Sequence, residues 1–190
     1  MNAAVPTSND KIPECSGTPA DAAKRIPAVS FVAKSGTGKT TLLEKVISGL
    51  KTRGYRVGVI KHDAHRFDID HPGKDSYRMT AAGADTVLIS SPEKLAMVKV
   101  HAASPPIGQL IDTYFGDVDI VLTEGFKQGD LPKIEVHRSE RSATLLCRGT
   151  HHDPTLIAVA SDATMEIDVP VLDLNNAIAV TDFLEQYFSL

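Results

Sequence analysis

The sequence predicts a three-layer α/β domain with a mostly parallel sheet and additional antiparallel edge strands. Two observations carry this. Five short segments are almost continuously apolar, AVSFVA (28–33), YRVGVI (55–60), TVLIS (86–90), VDIVLT (118–123) and TLIAVA (155–160), as expected of strands covered on both faces. Between them, apolar residues recur at helical spacing, and strands alternating with helices mark this class.

Each element has a local reason. The strand over 28–33 runs into a glycine-rich turn. Leu43, Val46, Ile47 and Leu50 then line one helical face, and Gly54 stands where a C-terminal stop is expected. After the strand over 55–60, Pro72 and Gly73 make a turn, and Asp75 or Ser76 is a good N-cap for a helix running to Ala82. PPIGQLIDTYF (105–115) reads as a helix, and Val180, Phe183, Leu184, Tyr187 and Phe188 give the last helix one apolar face. KIEVHR (133–138) alternates strictly and KLAMVKV (94–100) approximately. Both read as half-exposed antiparallel strands at an edge or in an outer hairpin.

At 190 residues the chain can bury a sizeable core by itself. Residues 1–26, rich in Pro, Ser, Thr, Asn and Asp, read as a disordered leader, leaving 27–190 as the nucleotide-binding domain argued for below. The net charge of −4 argues against a nucleic-acid partner, which would need a basic face. No apolar run approaches membrane-spanning length, and the N-terminus has no basic stretch followed by an apolar one. Two cysteines, Cys15 and Cys147, supply neither a disulfide framework nor a zinc set. A cytoplasmic protein is expected.

The glycine turn carries the chemistry. Gly38, Lys39 and Thr40 close the phosphate-loop pattern G-x-x-x-x-G-K-[ST], with Ala33 where the first glycine would stand. Three residues alone recur by chance. Here an apolar strand precedes them, an amphipathic helix follows, and Gly36 lies between. In such a turn the backbone N–H groups of Ser35, Gly36, Thr37 and Gly38, with the helix N-terminus, converge on phosphate oxygens. Lys39 would reach the β/γ-phosphates, Thr40 would bind Mg²⁺ and Thr41 would meet the α-phosphate. The fold expected is therefore that of a P-loop NTPase. Its second half needs a strand ending in an acid, and Glu124 after DIVLT fits as a magnesium or water partner, completing with Lys39 the candidate catalytic pair. Asp119 starts that strand at the opposite edge. VIKHDAH brings Lys61, His62, Asp63 and His65 to another strand end, where Asp63 could help the magnesium water shell. His62, His65 and His71 with Asp68 and Asp70 could form a metal site, although solvated imidazoles are the plainer reading.

SGTGKTTLLEK, IKHDAH, DHPGKDSYRMTAAGAD, EGFK followed by KIEV, and IAVASD occur in that order over roughly 26–187. Together they resemble the MobB family of molybdopterin-guanine dinucleotide biosynthesis adapter proteins. The resemblance implies a GTP-binding protein that assists the guanylyltransferase MobA in attaching GMP to molybdopterin. It also implies a homodimer with an extended sheet, and GTPase activity that is weak at best. Within PGKDS, turn and cap explain all but Lys74. Lys74 and the following Arg78 are left to face a phosphate of GTP or of the pterin. Asp162 in AVASD is the candidate reader of guanine, because a carboxylate there could accept both N1–H and N2–H₂. No glutamine or arginine is singled out to activate a water; Arg66, Arg78 and Arg138 are candidates among which the sequence does not choose. The order K-x-G-x-G-K-T also places Lys34 as in the deviant phosphate loop of dimeric ATPases, with a surface lysine as the plainer reading. Cys147 with His151 and His152 in CRGTHH (147–152) could form a molybdenum- or thiol-related cluster, although a loop is the plainer reading, since the spacing completes no tetrahedral zinc pattern. Two other functions fit parts of the pattern: a small-molecule kinase using Lys74, Arg78 and Asp63, or a nickel or cobalt metallochaperone GTPase using the histidines.

Overall fold

The computed structural model describes residues 25–63, 67 and 69–190. The leader expected over 1–26 lies outside the described residues except for its last two, as do His65, Arg66 and Asp68. Twelve elements follow in chain order: β1 (Ala28–Ala33), α1 (Lys39–Thr52), β2 (Val57–Lys61), α2 (Asp75–Ala81), β3 (Thr86–Ser90), β4 (Leu95–Lys99), α3 (Ile107–Tyr114), β5 (Ile120–Glu124), β6 (Lys133–His137), β7 (Leu156–Ser161), β8 (Val171–Asp173) and α4 (Ala177–Phe188). Six strands form one sheet in the order β2-β5-β1-β6-β7-β8, and every neighbouring pair is parallel. β3 and β4 make a separate antiparallel pair.

β1 is buried throughout and sits between β5 and β6. Its alternate residues serve two cores. Val29, Phe31 and Ala33 pack with Leu42, Leu43, Val46 and Leu50 of α1 and with Val180 and Leu184 of α4. On the other face, Ala28 joins Ile111 of α3 and Val121, while Val32 joins Cys147, Leu156 and Val159 beneath Leu145, Leu146 and Ile167. Burying a Phe, Val or Leu of this kind contributes about 1.5–3 kcal/mol each, so α1 is held against β1 chiefly by its apolar stripe. This is the three-layer arrangement the alternation of elements predicts.

Three local expectations are corrected. TVLIS does not enter the main sheet: β3 pairs only with β4, and of its residues Val87 alone is buried. The turn closes locally, because Ser91 N–H donates to the Lys94 carbonyl at 2.9 Å and the Ser91 hydroxyl accepts from Lys94 N–H at 3.1 Å, so the hairpin forms without help from the sheet. KIEVHR is neither antiparallel nor at an edge. β6 is parallel to β1 and β7 and entirely buried, because its polar face is matched by partners. Lys133 donates to the Gly129 carbonyl and Thr155 hydroxyl, each at 2.5 Å, and pairs with Asp153 at 3.0 Å. Glu135 accepts from Leu146 and Cys147 N–H at 2.6 and 2.8 Å. His137 meets the Ser161 hydroxyl and the Ser142 carbonyl. Finally, neither Asp75 nor Ser76 caps α2: Lys74 is the N-cap residue, with no side-chain cap bond, and Asp75 lies in the first turn. β8 was not anticipated at all.

Candidate nucleotide-binding site

β1 ends at Ala33 and α1 begins at Lys39, so residues 34–38 form the whole connection. Ala33 is still a strand residue, paired with Val136 and outside the left-handed region, so the backbone accommodates alanine where the pattern has its first glycine. Gly36 and Gly38 have φ of 77° and 88°, in the left-handed region that glycine adopts without penalty. Gly38 caps α1 with no side-chain bond. The first-turn N–H groups, which have no intrahelical partner, are thus left to a ligand. Thr37 is buried and its hydroxyl donates back to the Lys34 carbonyl at 3.2 Å, pinning the loop. Ser35, Thr40 and Thr41 are exposed around it.

Glu124 closes β5, opposite Phe31 of β1 in register. Lys39 Nζ and the Thr40 hydroxyl both donate to its Oε1, the latter at 3.0 Å. Burial alone would push the Glu124 carboxyl up, but the Lys39 ammonium, the Thr40 hydroxyl and the Lys61 charge outweigh it and hold it below its ordinary range. An ammonium and a hydroxyl therefore share one oxygen of a carboxylate that is ionised at neutral pH, beside the loop. The following Gly125 has φ 106°, and a Cβ there would lie 3.1 Å from the His62 carbonyl. Gly125 N–H donates to Phe31 and His62 N–H to Glu124, so the ends of β1, β2 and β5 are tied together. Phe126, which the sequence did not single out, has φ 47° and sets its ring 4.6 Å from that of His62.

The remaining candidates divide. Asp63 is exposed just beyond β2. Asp162 follows β7 and accepts from Ser139 N–H at 2.8 Å; that bond, ahead of nearby Arg138, holds its carboxyl below the usual range. Arg138 was one of three undistinguished arginines, and the fold brings it to the loop, its Nε 3.4 Å from the Thr37 carbonyl. Lys74 precedes α2 as its N-cap residue and Arg78 lies within it; α2 packs against β3 of the hairpin, and Arg78 pairs with exposed Asp75 at 3.5 Å. Lys34 donates to the Thr144 carbonyl and hydroxyl at 2.8 and 2.9 Å, tying its own chain together. Among the described residues no group of three or more His, Cys, Asp or Glu is placed to hold a metal ion, and no helix is long and apolar enough to cross a membrane. Cys147 is a core residue whose thiol is pushed up to about 12, by burial and then by Glu135.

A parallel sheet whose central strand delivers a glycine turn to a helix N-terminus, with a carboxylate on the adjoining strand end, defines a P-loop protein of the nucleotide-binding type. The family model described as molybdopterin guanine dinucleotide synthesis protein B, MobB, matches residues 28–162. The chain belongs to this family, whose curated relatives are adapter proteins of molybdopterin-guanine dinucleotide biosynthesis. It is 38% identical over 164 residues to the molybdopterin-guanine dinucleotide biosynthesis adapter protein of Haemophilus influenzae, covering 86% of this chain and 90% of that one. It is 37% identical over 176 residues to the Escherichia coli protein of the same description, covering 85% and 93%. The crystal structure of Bacillus subtilis MobB superposes with a TM-score of 0.67 at 27% identity, over 85% of this chain and 98% of that one.

Proposed function

We propose that this chain binds GTP with Mg²⁺ in the 35–41 loop and acts in the cytoplasm as an adapter for the guanylyltransferase MobA. The observation that carries the reading is the meeting of Lys39, Thr40 and Glu124 beside a helix N-terminus that has no side-chain cap bond. The backbone of Ser35 to Thr41 would hold the phosphates, with Lys39 countering their charge. Thr40 and Glu124 would hold the metal, and Asp63 its water shell. Bound Mg²⁺ would supply charge neutralisation at the β- and γ-oxygens. Asp162 would read guanine from the end of β7, two strands from β1. Lys39 and Glu124 are the groups that would serve any hydrolysis, which is weak at most.

Two further observations support the partner readings. A cleft of about 760 Å³ at the end of β2, between α2, β4 and α3, is lined by Lys61, His62, Tyr77, Lys99, Tyr114 and Phe126, rings and cations suited to a fused heterocycle bearing phosphate. Molybdopterin or its guanine dinucleotide is the ligand proposed for it, its phosphate to be met by Lys74 and Arg78, which neighbour in sequence the Tyr77 and Thr80 that line the cleft, without lining it themselves. The hairpin exposes Leu88, Ile89 and Leu95 at 53–62%, a surface that a homodimer with an extended sheet would cover. The same cleft is what a small-molecule kinase would need, and this keeps that second reading alive.

Sedimentation of the chain with a MobA guanylyltransferase, GTP and Mg²⁺ tests the adapter. A complex without phosphoryl transfer to molybdopterin is expected. Transfer of the γ-phosphate to a small molecule, with no complex, would favour the kinase instead.

A further inference from the structure

We propose that Arg138 is a phosphate-binding residue of this site that exchanges Asp162 for the anion, so that binding of the phosphates releases the carboxylate to the base. The inference rests on the reading of the loop as a nucleotide cradle. β6 flanks β1 on the side opposite β5, so the loop is bracketed by Glu124 from one neighbouring strand and Arg138 from the other. The Arg138 guanidinium lies along the loop: Nε faces the Thr37 carbonyl at 3.4 Å, and Nη2 is 3.6 Å from the point where a Cβ on Gly38 would stand. Nη1 is 3.6 Å from Asp162 Oδ2, while Asp162 Oδ1 is held by Ser139 N–H at 2.8 Å.

Those lengths decide the argument. A guanidinium carries five N–H donors in a rigid fork, and charge-assisted bonds to carboxylate or phosphate settle at about 2.7–2.9 Å. The guanidinium contacts of Arg138 to Thr37 and Asp162 are both longer than that. It rests between the phosphate loop and Asp162 without closing on either, at 30% side-chain exposure, with Asp162 at 18%. A phosphate oxygen in the cradle would offer the fork short, bidentate bonds that the Thr37 carbonyl cannot. Asp162 stays anchored through Oδ1 to Ser139, and Oδ2, no longer facing a cation, is left to accept from guanine. Phosphate binding and base selection are thereby coupled through one side chain. No bond is made or broken; the exchange is one of ion-pair partners.

Inorganic tripolyphosphate separates this from base reading, because it carries the anion alone. Calorimetric titration with Mg²⁺ of wild type, Arg138→Gln, Asp162→Asn and the double variant gives the coupling directly. Arg138→Gln is expected to weaken tripolyphosphate and GTP at least about tenfold, and Arg138→Lys to recover part of that loss. Asp162→Asn should tighten tripolyphosphate several-fold by removing the competing carboxylate, and that gain should vanish in the double variant. Unchanged binding in Arg138→Gln, or a gain from Asp162→Asn that persists without Arg138, would overturn the exchange while leaving the cradle intact. A wild type that binds neither ligand would instead remove the nucleotide reading on which the inference stands.

Discussion

β6 carries lysine, glutamate and histidine at alternate positions, and all of it is buried; β3 carries valine, leucine and isoleucine, and Val87 alone is buried. The two strands have nearly opposite chemistry and opposite environments. The difference lies in what each is offered. β6 lies between β1 and β7 beneath the chain that returns over residues 138–155, and each of its polar groups finds a partner there or close by. Among the described residues, β3 packs chiefly on β4 and α2. Burial here follows the supply of partners more closely than side-chain polarity, because a satisfied polar group is cheap to bury and an apolar strand with no second layer stays in water.

The largest effect should come from breaking the β6 ladder at its most buried charge. Lys133→Met strips Asp153 and two oxygen acceptors of their partner, and a loss of about 3–5 kcal/mol in denaturant unfolding is expected. A loss below about 1 kcal/mol would mean that the ladder is incidental. Glu135→Leu should follow at about 2–3 kcal/mol, since two buried N–H groups lose a charged acceptor. On the hairpin the expectation reverses. Replacing both Leu88 and Ile89 with Lys should change the stability of the isolated chain by no more than about 0.5 kcal/mol, yet shift the sedimentation of the proposed homodimer towards monomer. A variant that sediments as the wild type does would leave the apolar face unexplained.

The smallest effect belongs to an exposed pair. Arg56 donates to Asp119 through its backbone N–H at 2.7 Å and its guanidinium at 2.6 Å, and these bonds lower the Asp119 carboxyl to about 2. A carboxyl depressed on folding adds stability above its unfolded value of about 3.9. That contribution falls away as pH drops from there through about 2. An NMR titration should find the midpoint below the ordinary carboxylate range and moved back towards it by Arg56→Gln, with only a modest loss of stability at neutral pH because solvent screens the exposed pair. A strong stability loss would place this pair with the β6 ladder instead.

How much of this could be read in advance follows the same division. The loop was legible because its chemistry is local: the left-handed φ of Gly36 and Gly38, the lysine and threonine after them, and an acid ending an apolar run all lie within short stretches of chain. The parallel sheet was legible from continuous apolarity. What failed depended on order across the sheet. Nothing within KIEVHR says that it will lie between β1 and β7, and without that neither its burial nor the approach of Arg138 to Thr37 can be inferred. TVLIS has the pattern of a covered strand because apolar runs look alike whether or not the fold supplies a second layer. β8, at three residues, is too short to show a period.

The central claim is that Lys39, Thr40 and Glu124 form a magnesium-dependent nucleotide cradle. Calorimetric titration of wild type and Lys39→Ala with GTP and then ATP, with and without Mg²⁺, tests it most directly. The account predicts Mg²⁺-dependent binding that prefers GTP and weakens by about two orders of magnitude in Lys39→Ala, with the fold retained. An unchanged dissociation constant in that variant would contradict it.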